Sequence, residues 1–163
     1  PEYIAAVSRK VAELNDSRSI SALAKATHGG PKVVKRLAEF GEAALPALLA
    51  VVNEPNGSYS TVEHGLKSLQ TLVENGSVES LSSNGRSAIR AAVLEKMNGR
   101  HYFTTLWAAM DVAVALDDPE MNRVLQVIAQ DPNESAKRDI DEAKVVKLTM
   151  ERASRILAKV TNK

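Results

Sequence analysis

Apolar positions recur along this chain at spacings of three and four residues, the mark of amphipathic helices, and no segment alternates like a half-buried strand. Over residues 2–14 the stripe is Ile4, Val7, Val11 and Leu14. Asn15-Asp16 breaks it, and Ser17 is placed to cap a helix over 18–27 that carries Ile20, Leu23 and Ala24. His28-Gly29-Gly30 closes that helix and Pro31 opens another over 31–39, the Gly-out, Pro-in asymmetry of helix ends. Segment 42–52 contains Pro46, which cannot donate to the fourth residue back. If the helix begins near Glu42 or Ala43, Pro46 falls in or near the first turn, where those amides lack partners anyway, so a helix that tolerates it with some bend is predicted.

Asn53 to Gly57 reads as a turn, and Ser58 or Ser60 caps a helix over 60–75 with Val62, Leu66, Leu69, Leu72 and Val73 inward. Residues 76–84, rich in Ser, Asn and Gly, read as a loop. Helix 85–97 follows with Ile89, Ala92, Val93 and Met97, and then 101–116, the most apolar segment. Asp117-Asp118-Pro119 joins a cap to an N1 proline and opens a helix over 119–129. Asp131-Pro132-Asn133 stops it, and 134–160 reads as a last helix, clearest from 141.

The layout repeats. A short helix marked by Pro or Asp-Pro precedes a longer one three times: 42–52 with 60–75, 86–97 with 101–116, and 119–129 with 141–160. In the long helices Leu72, Ala115 and Leu157 are 43 and 42 residues apart. The short helices are less regular, with Leu49 to Val93 at 44 and Val93 to Ile128 at 35. A period near 40 predicts an array of helix pairs. The expected fold is all-α, an α-α superhelix forming a single domain over 1–163. It would hold a helix at 2–14 and pairs at about 17–39, 42–75, 86–116 and 119–160.

The stretch VVKRLAEFGEAALPALLAVVNEPNGSYSTVEHGLKSLQTLVENG resembles the HEAT repeat family. Gly41, Ala44, Pro46, Leu48 and Leu49 occupy the places of that family's Gly-x-x-Ala-x-Pro-x-Leu start. LDDPEMNRVLQVI repeats the Asp-Pro linker before another first helix of a pair. Three departures stand out. Val62-Glu63 replaces the usual Val-Arg, one first helix alone has the internal Pro, and the 76–85 loop is longer than typical. The likeness is good over 33–75, fair over 86–160 and topological over 1–30. It implies a scaffold with a binding surface more than a reaction.

Composition narrows the chemistry. The absence of Cys removes disulfides, thiolate metal sites and cysteine nucleophiles. The longest nearly apolar stretch, LWAAMDVAVAL, is broken by Asp111, so no membrane span and no membrane partner are expected. No signal peptide is visible, and cytoplasmic location is the expectation, although Pro1 leaves an upstream targeting segment open. The formal charge of +1 disfavours a general polyanion binder but permits a local basic face. Aromatics make up only 4% of the chain, which points to close helix packing and singles out Trp107.

No catalytic residue, metal or cofactor is assigned. His28, His64 and His101 each stand alone, and Gly29-Gly30-Pro31-Lys32 reads as a plain cap rather than an anion loop. Asp111 admits two readings: the solvated side of an apolar helix, or, with Trp107, a ligand contact in a groove. Basic residues cluster at Lys32, Lys35 and Arg36, at Arg86 and Arg90, and over 135–163, where eight basic residues face four acidic ones. Lys144, Lys147, Arg155 and Lys159 fit a broad solvent side there, with Glu151 interrupting.

The function expected is a protein-binding scaffold module for a protein or peptide partner, rather than an enzyme. Trp107 would be its aromatic anchor, with Asp111, Arg86, Arg90, Lys147 and Arg155 as candidate contacts. The alternative is a nucleic-acid-binding helical repeat, extending to a DNA glycosylase-like enzyme, that uses the basic C-terminal helix for phosphates and Asp111 in the pocket. A structural segment of a larger scaffold is a third reading. Convergence of Arg86, Arg90, Lys147 and Arg155 on the surface of Trp107 and Asp111 would favour nucleic acid.

Overall fold

A computed structural model describes residues 19–26, 31–55, 57–76, 80–99, 101–132 and 143–161. The helix expected at 2–14, the His28-Gly29-Gly30 stop and the start of the last predicted helix lie outside the described residues. Among the described residues all regular structure is helical, with no strand. The α-helices are α1 (Ser19–Lys25), α2 (Pro31–Glu39), α3 (Leu45–Val52), α4 (Tyr59–Gly76), α5 (Ser83–Asn98), α6 (Phe103–Leu116), α7 (Pro119–Gln130) and α8 (Ala143–Thr161).

Local chemistry sets the helix ends. Asp118 caps α7, its Oδ1 accepting from the amides of Glu120 at 2.9 Å and Met121 at 3.2 Å, with Pro119 supplying the preset first residue. Ser82 caps α5 by accepting from the Gly85 amide at 3.0 Å. The segment expected as one bent helix over 42–52 divides in two, a 3-10 turn over Gly41–Ala44 and then α3. Pro46 explains the break. It has no N–H to give the Glu42 carbonyl, and the Leu45 amide bonds that carbonyl instead, closing the tighter ring of a 3-10 turn. Gly41 leads in at φ 59°, where a side chain would be strained.

The helices lie in two rows. Helices α1, α3, α5 and α7 pack in sequence along one row, and α2, α4, α6 and α8 along the other; each odd helix also packs on the even one that follows it. Within the even row, α6 and α8 run in the same direction. Trp107 meets Thr149 and, one turn further along both helices, Asp111 meets Arg152. These contacts join positions 42 and 41 residues apart.

Helix α6 is flanked by α4, α5, α7 and α8, which explains its composition. A helix enclosed on most sides is apolar nearly all round. Leu106, Ala108, Ala109, Met110, Val112 and Ala113 are all buried in it. The most apolar stretch of the chain is therefore the middle of the protein, and no helix among the described residues is long and apolar enough to cross a membrane. Leu37, Leu48, Leu66, Leu69, Ile89 and Leu125 extend that core between the rows. Gly65 permits close approach of α3 and α4, since a Cβ there would lie 2.9 Å from Val52 Cγ2.

Polar ties link successive pairs in the odd row. The Glu42 carboxylate accepts from the Ser82 amide at 2.9 Å and from the Ser82 hydroxyl. Those two donors, the hydroxyl foremost, hold the Glu42 carboxyl below its ordinary pKa. One pair further on, Arg90 of α5 engages Asp118 through Nε at 2.9 Å and also Glu120, at the start of α7.

Candidate functional site

Four of the six aromatic residues gather in one row where α4 and α6 begin. Tyr59 is the first residue of α4. The preceding turn is fixed by Ser58, whose hydroxyl accepts from the Thr61 amide at 3.2 Å and bonds the Thr61 hydroxyl at 2.8 Å. Tyr102 caps α6 in extended conformation, and its carbonyl accepts from the Thr105 and Leu106 amides at 3.0 and 3.2 Å. Because α4 and α6 pack side by side, Tyr59 and Tyr102 at their starts meet, with ring centroids 4.9 Å apart. Phe103 lies 4.5 Å from Tyr102, and Trp107, one helical turn on, lies 5.1 Å from Phe103, edge to face. Tyr59 is 60% exposed and Tyr102 52%, so the row is open to solvent at one end.

Its other end is tied to α8. Trp107 Nε1 donates to Thr149 Oγ1 at 2.9 Å, and that hydroxyl donates on to the Val145 carbonyl at 2.8 Å. The Arg152 guanidinium stands 5.7 Å from the Trp107 ring centroid, a cation–π arrangement. Its NH2 donates to both oxygens of Asp111, at 2.7 and 2.5 Å. Asp111 thus faces the next helix of its row and meets a counter-charge there.

Beyond this pair a hollow of about 190 Å³ opens between α6 and α8, lined by Asp111, Arg152, Arg155, Ile156 and Lys159. Arg155 therefore comes to the surface that holds Asp111. Lys147 sits 3.9 Å from Glu151 and shares with Arg155 a broader concavity of about 990 Å³ that reaches Ala129 of α7. Arg86 and Arg90 line a different hollow, of about 290 Å³, with Leu116 and Asp118, and Arg90 is held by the two carboxylates at the start of α7. The six residues singled out from the sequence therefore divide: Trp107, Asp111 and Arg155 come together around Arg152, Lys147 borders them, and Arg86 and Arg90 belong to the other row.

Tyr59, Tyr102, Phe103, Thr149 and Arg152 complete the site, and sequence reasoning passed over them. The spacing near 40 residues carried a signal for three of them: Tyr59 and Tyr102 are 43 residues apart, and Arg152 is 41 from Asp111. His101 lies before α6 with Nε2 3.2 Å from Glu95, and His64 is half-buried on α4. Among the described residues no three His, Asp or Glu side chains are grouped to hold a metal ion. No family model, no curated protein and no solved structure matches this chain.

Proposed function

We propose that this chain is a protein-binding module, an α-α superhelix of HEAT-like helix pairs that takes a peptide segment across the face of α4, α6 and α8. The aromatic row carries the proposal. Two adjacent tyrosines lie more than half exposed while braced ring to ring against Phe103 and Trp107. Tyr and Trp dominate binding hot spots because they offer large amphipathic area on few rotatable bonds. Rings already held by their neighbours lose little side-chain entropy when a ligand covers them. The two-row packing, and the contacts between positions 41 and 42 residues apart, support the repeat reading.

Selection of a phage-displayed peptide library on the purified protein tests this. Selected peptides should bind Tyr59→Ser/Tyr102→Ser at least about tenfold more weakly, which is about 1.4 kcal/mol, with helix content unchanged by circular dichroism. Binders indifferent to both tyrosines would refute it.

A second reading, nucleic-acid binding of the glycosylase-like kind, draws on the meeting of Trp107, Asp111 and Arg152 beside Arg155 and Lys159. A mobility-shift assay with duplex DNA across a salt series decides it. Phosphate contacts give affinity that falls steeply with salt, and absence of such binding at micromolar protein removes this reading.

A further inference from the structure

We propose that the hollow between α6 and α8 is a phosphomonoester subsite, taking the phosphate of a phosphorylated Ser, Thr or Tyr in a peptide that lies along the aromatic row. This rests on the protein-binding reading and adds the chemistry of the ligand to it.

Charge comes first. Arg152, Arg155 and Lys159 face the hollow against one carboxylate, Asp111. Both oxygens of that carboxylate accept from Arg152. The wall therefore carries an excess of two positive charges. A phosphomonoester at neutral pH carries about −1.5 to −2, whereas a single carboxylate would leave one cation unmatched. Size gives the same answer, because about 190 Å³ receives one compact group and not a run of acidic side chains.

The donors are also placed for it. Arg152, Arg155 and Lys159 follow at spacings of three and four on α8 and so share one side of the helix. Arg155 is exposed, and its one side-chain hydrogen bond among the described residues runs from Nε to the Glu151 carbonyl at 3.3 Å. Lys159 is exposed and has no ion-pair partner among the described residues. Ile156, 8% exposed, forms an apolar floor between them. The subsite adjoins the aromatic row directly, since Arg152 touches both the Trp107 ring and Asp111.

A nucleic acid fits these features less well. Its phosphates recur along a strand and call for a track of cations, but Arg86 and Arg90 line a separate hollow in the other row. Ring centroids 4.5 to 5.1 Å apart put neighbouring rings in direct contact and leave no room for a base between them.

Trp107 is the chain's one tryptophan, so its fluorescence reports on the subsite. Titration with phenyl phosphate at neutral pH and constant ionic strength should give a saturable change, with affinity about tenfold above that for benzoate. Arg155→Gln/Lys159→Gln should weaken phenyl phosphate at least about tenfold without altering the melting temperature. A peptide library with central phosphoserine should then outbind its serine counterpart by a similar factor, and only on the wild-type protein. Equal binding of phenyl phosphate and benzoate, or indifference to the double substitution, overturns the subsite. Should a duplex DNA oligonucleotide bind through Arg155 and Lys159 while the phosphoserine library gains nothing, the phosphopeptide assignment is overturned. Unphosphorylated peptides held by Tyr59 and Tyr102 would survive either result, so failure of the subsite is distinguishable from failure of the protein-binding reading.

Discussion

Removing the Asp111 carboxylate tests whether the even row is held by the contact between α6 and α8. The side chains of Asp111 and Arg152 are 28% and 34% exposed, between a surface ion pair and a buried one. Exposed pairs are worth about 0.2–1 kcal/mol, and breaking a fully buried pair costs about 3–5 kcal/mol. With two contacts at 2.7 and 2.5 Å and partial access to water, we expect a coupling energy of about 1.5 kcal/mol. Asp111→Ala alone should cost about 2 kcal/mol, because Arg152 loses its acceptor but keeps the face of Trp107. The measurement is a double-mutant cycle of Asp111→Ala, Arg152→Ala and the double variant, by urea unfolding. Far-UV circular dichroism is the appropriate probe, since Trp107 fluorescence changes with the pair itself. The companion variant Asp111→Leu/Arg152→Met removes both charges and keeps the volume, and should unfold close to wild type. A coupling below about 0.5 kcal/mol, or a large loss in the apolar double variant, would refute the assignment of Asp111 as an interhelix tie.

Two further outcomes follow from the odd row and its contact with the even one. Gly65→Ala gains about 1 kcal/mol of helix propensity but drives a methyl to 2.9 Å from Val52 Cγ2 and 3.2 Å from Val51 Cγ1. Val52 is buried and stiff at χ1, so overpacking of about 1–3 kcal/mol should win, and the variant should melt below wild type; a higher melting temperature would show that α3 and α4 have slack. The Glu42–Ser82 tie should depend on pH. A carboxyl with lowered pKa in the folded state contributes stability that is complete above its unfolded pKa and is lost as pH falls through its folded one. The stability difference between wild type and Glu42→Gln, from urea unfolding at a series of pH values, should therefore shrink as the medium is acidified, and a difference that grows instead would contradict it.

Much of the helix order was legible because its causes are local. Asp118 before Pro119 marks the start of α7 within the residues that form it, and Pro31 does the same for α2. Pro46 was legible as a disturbance but not as a 3-10 turn, since the rescue depends on which amide, Leu45 or Pro46, reaches the Glu42 carbonyl. The cap at Ser82 went unread because Ser, Asn and Gly around it look alike to composition; what selects Ser82 is its contact with Glu42, 40 residues earlier.

The site divides along the same line. Sequence alone determined that the chain is helical, and that Trp107 and Asp111 are conspicuous among their neighbours. Those properties follow from the 3.6-residue period and from the cost of a carboxylate in an apolar segment, both readable within a few turns. Tertiary structure alone decided what Asp111 faces, because that depends on how α8 is rotated against α6 and which residue is brought level with it. It brought Arg152 to the carboxylate and to Trp107, joined Tyr59 to Tyr102, and set Arg86 and Arg90 apart from Arg155. The contacts join residues more than 40 positions apart, the separation depends on which row each helix enters, and a periodicity carries no record of either.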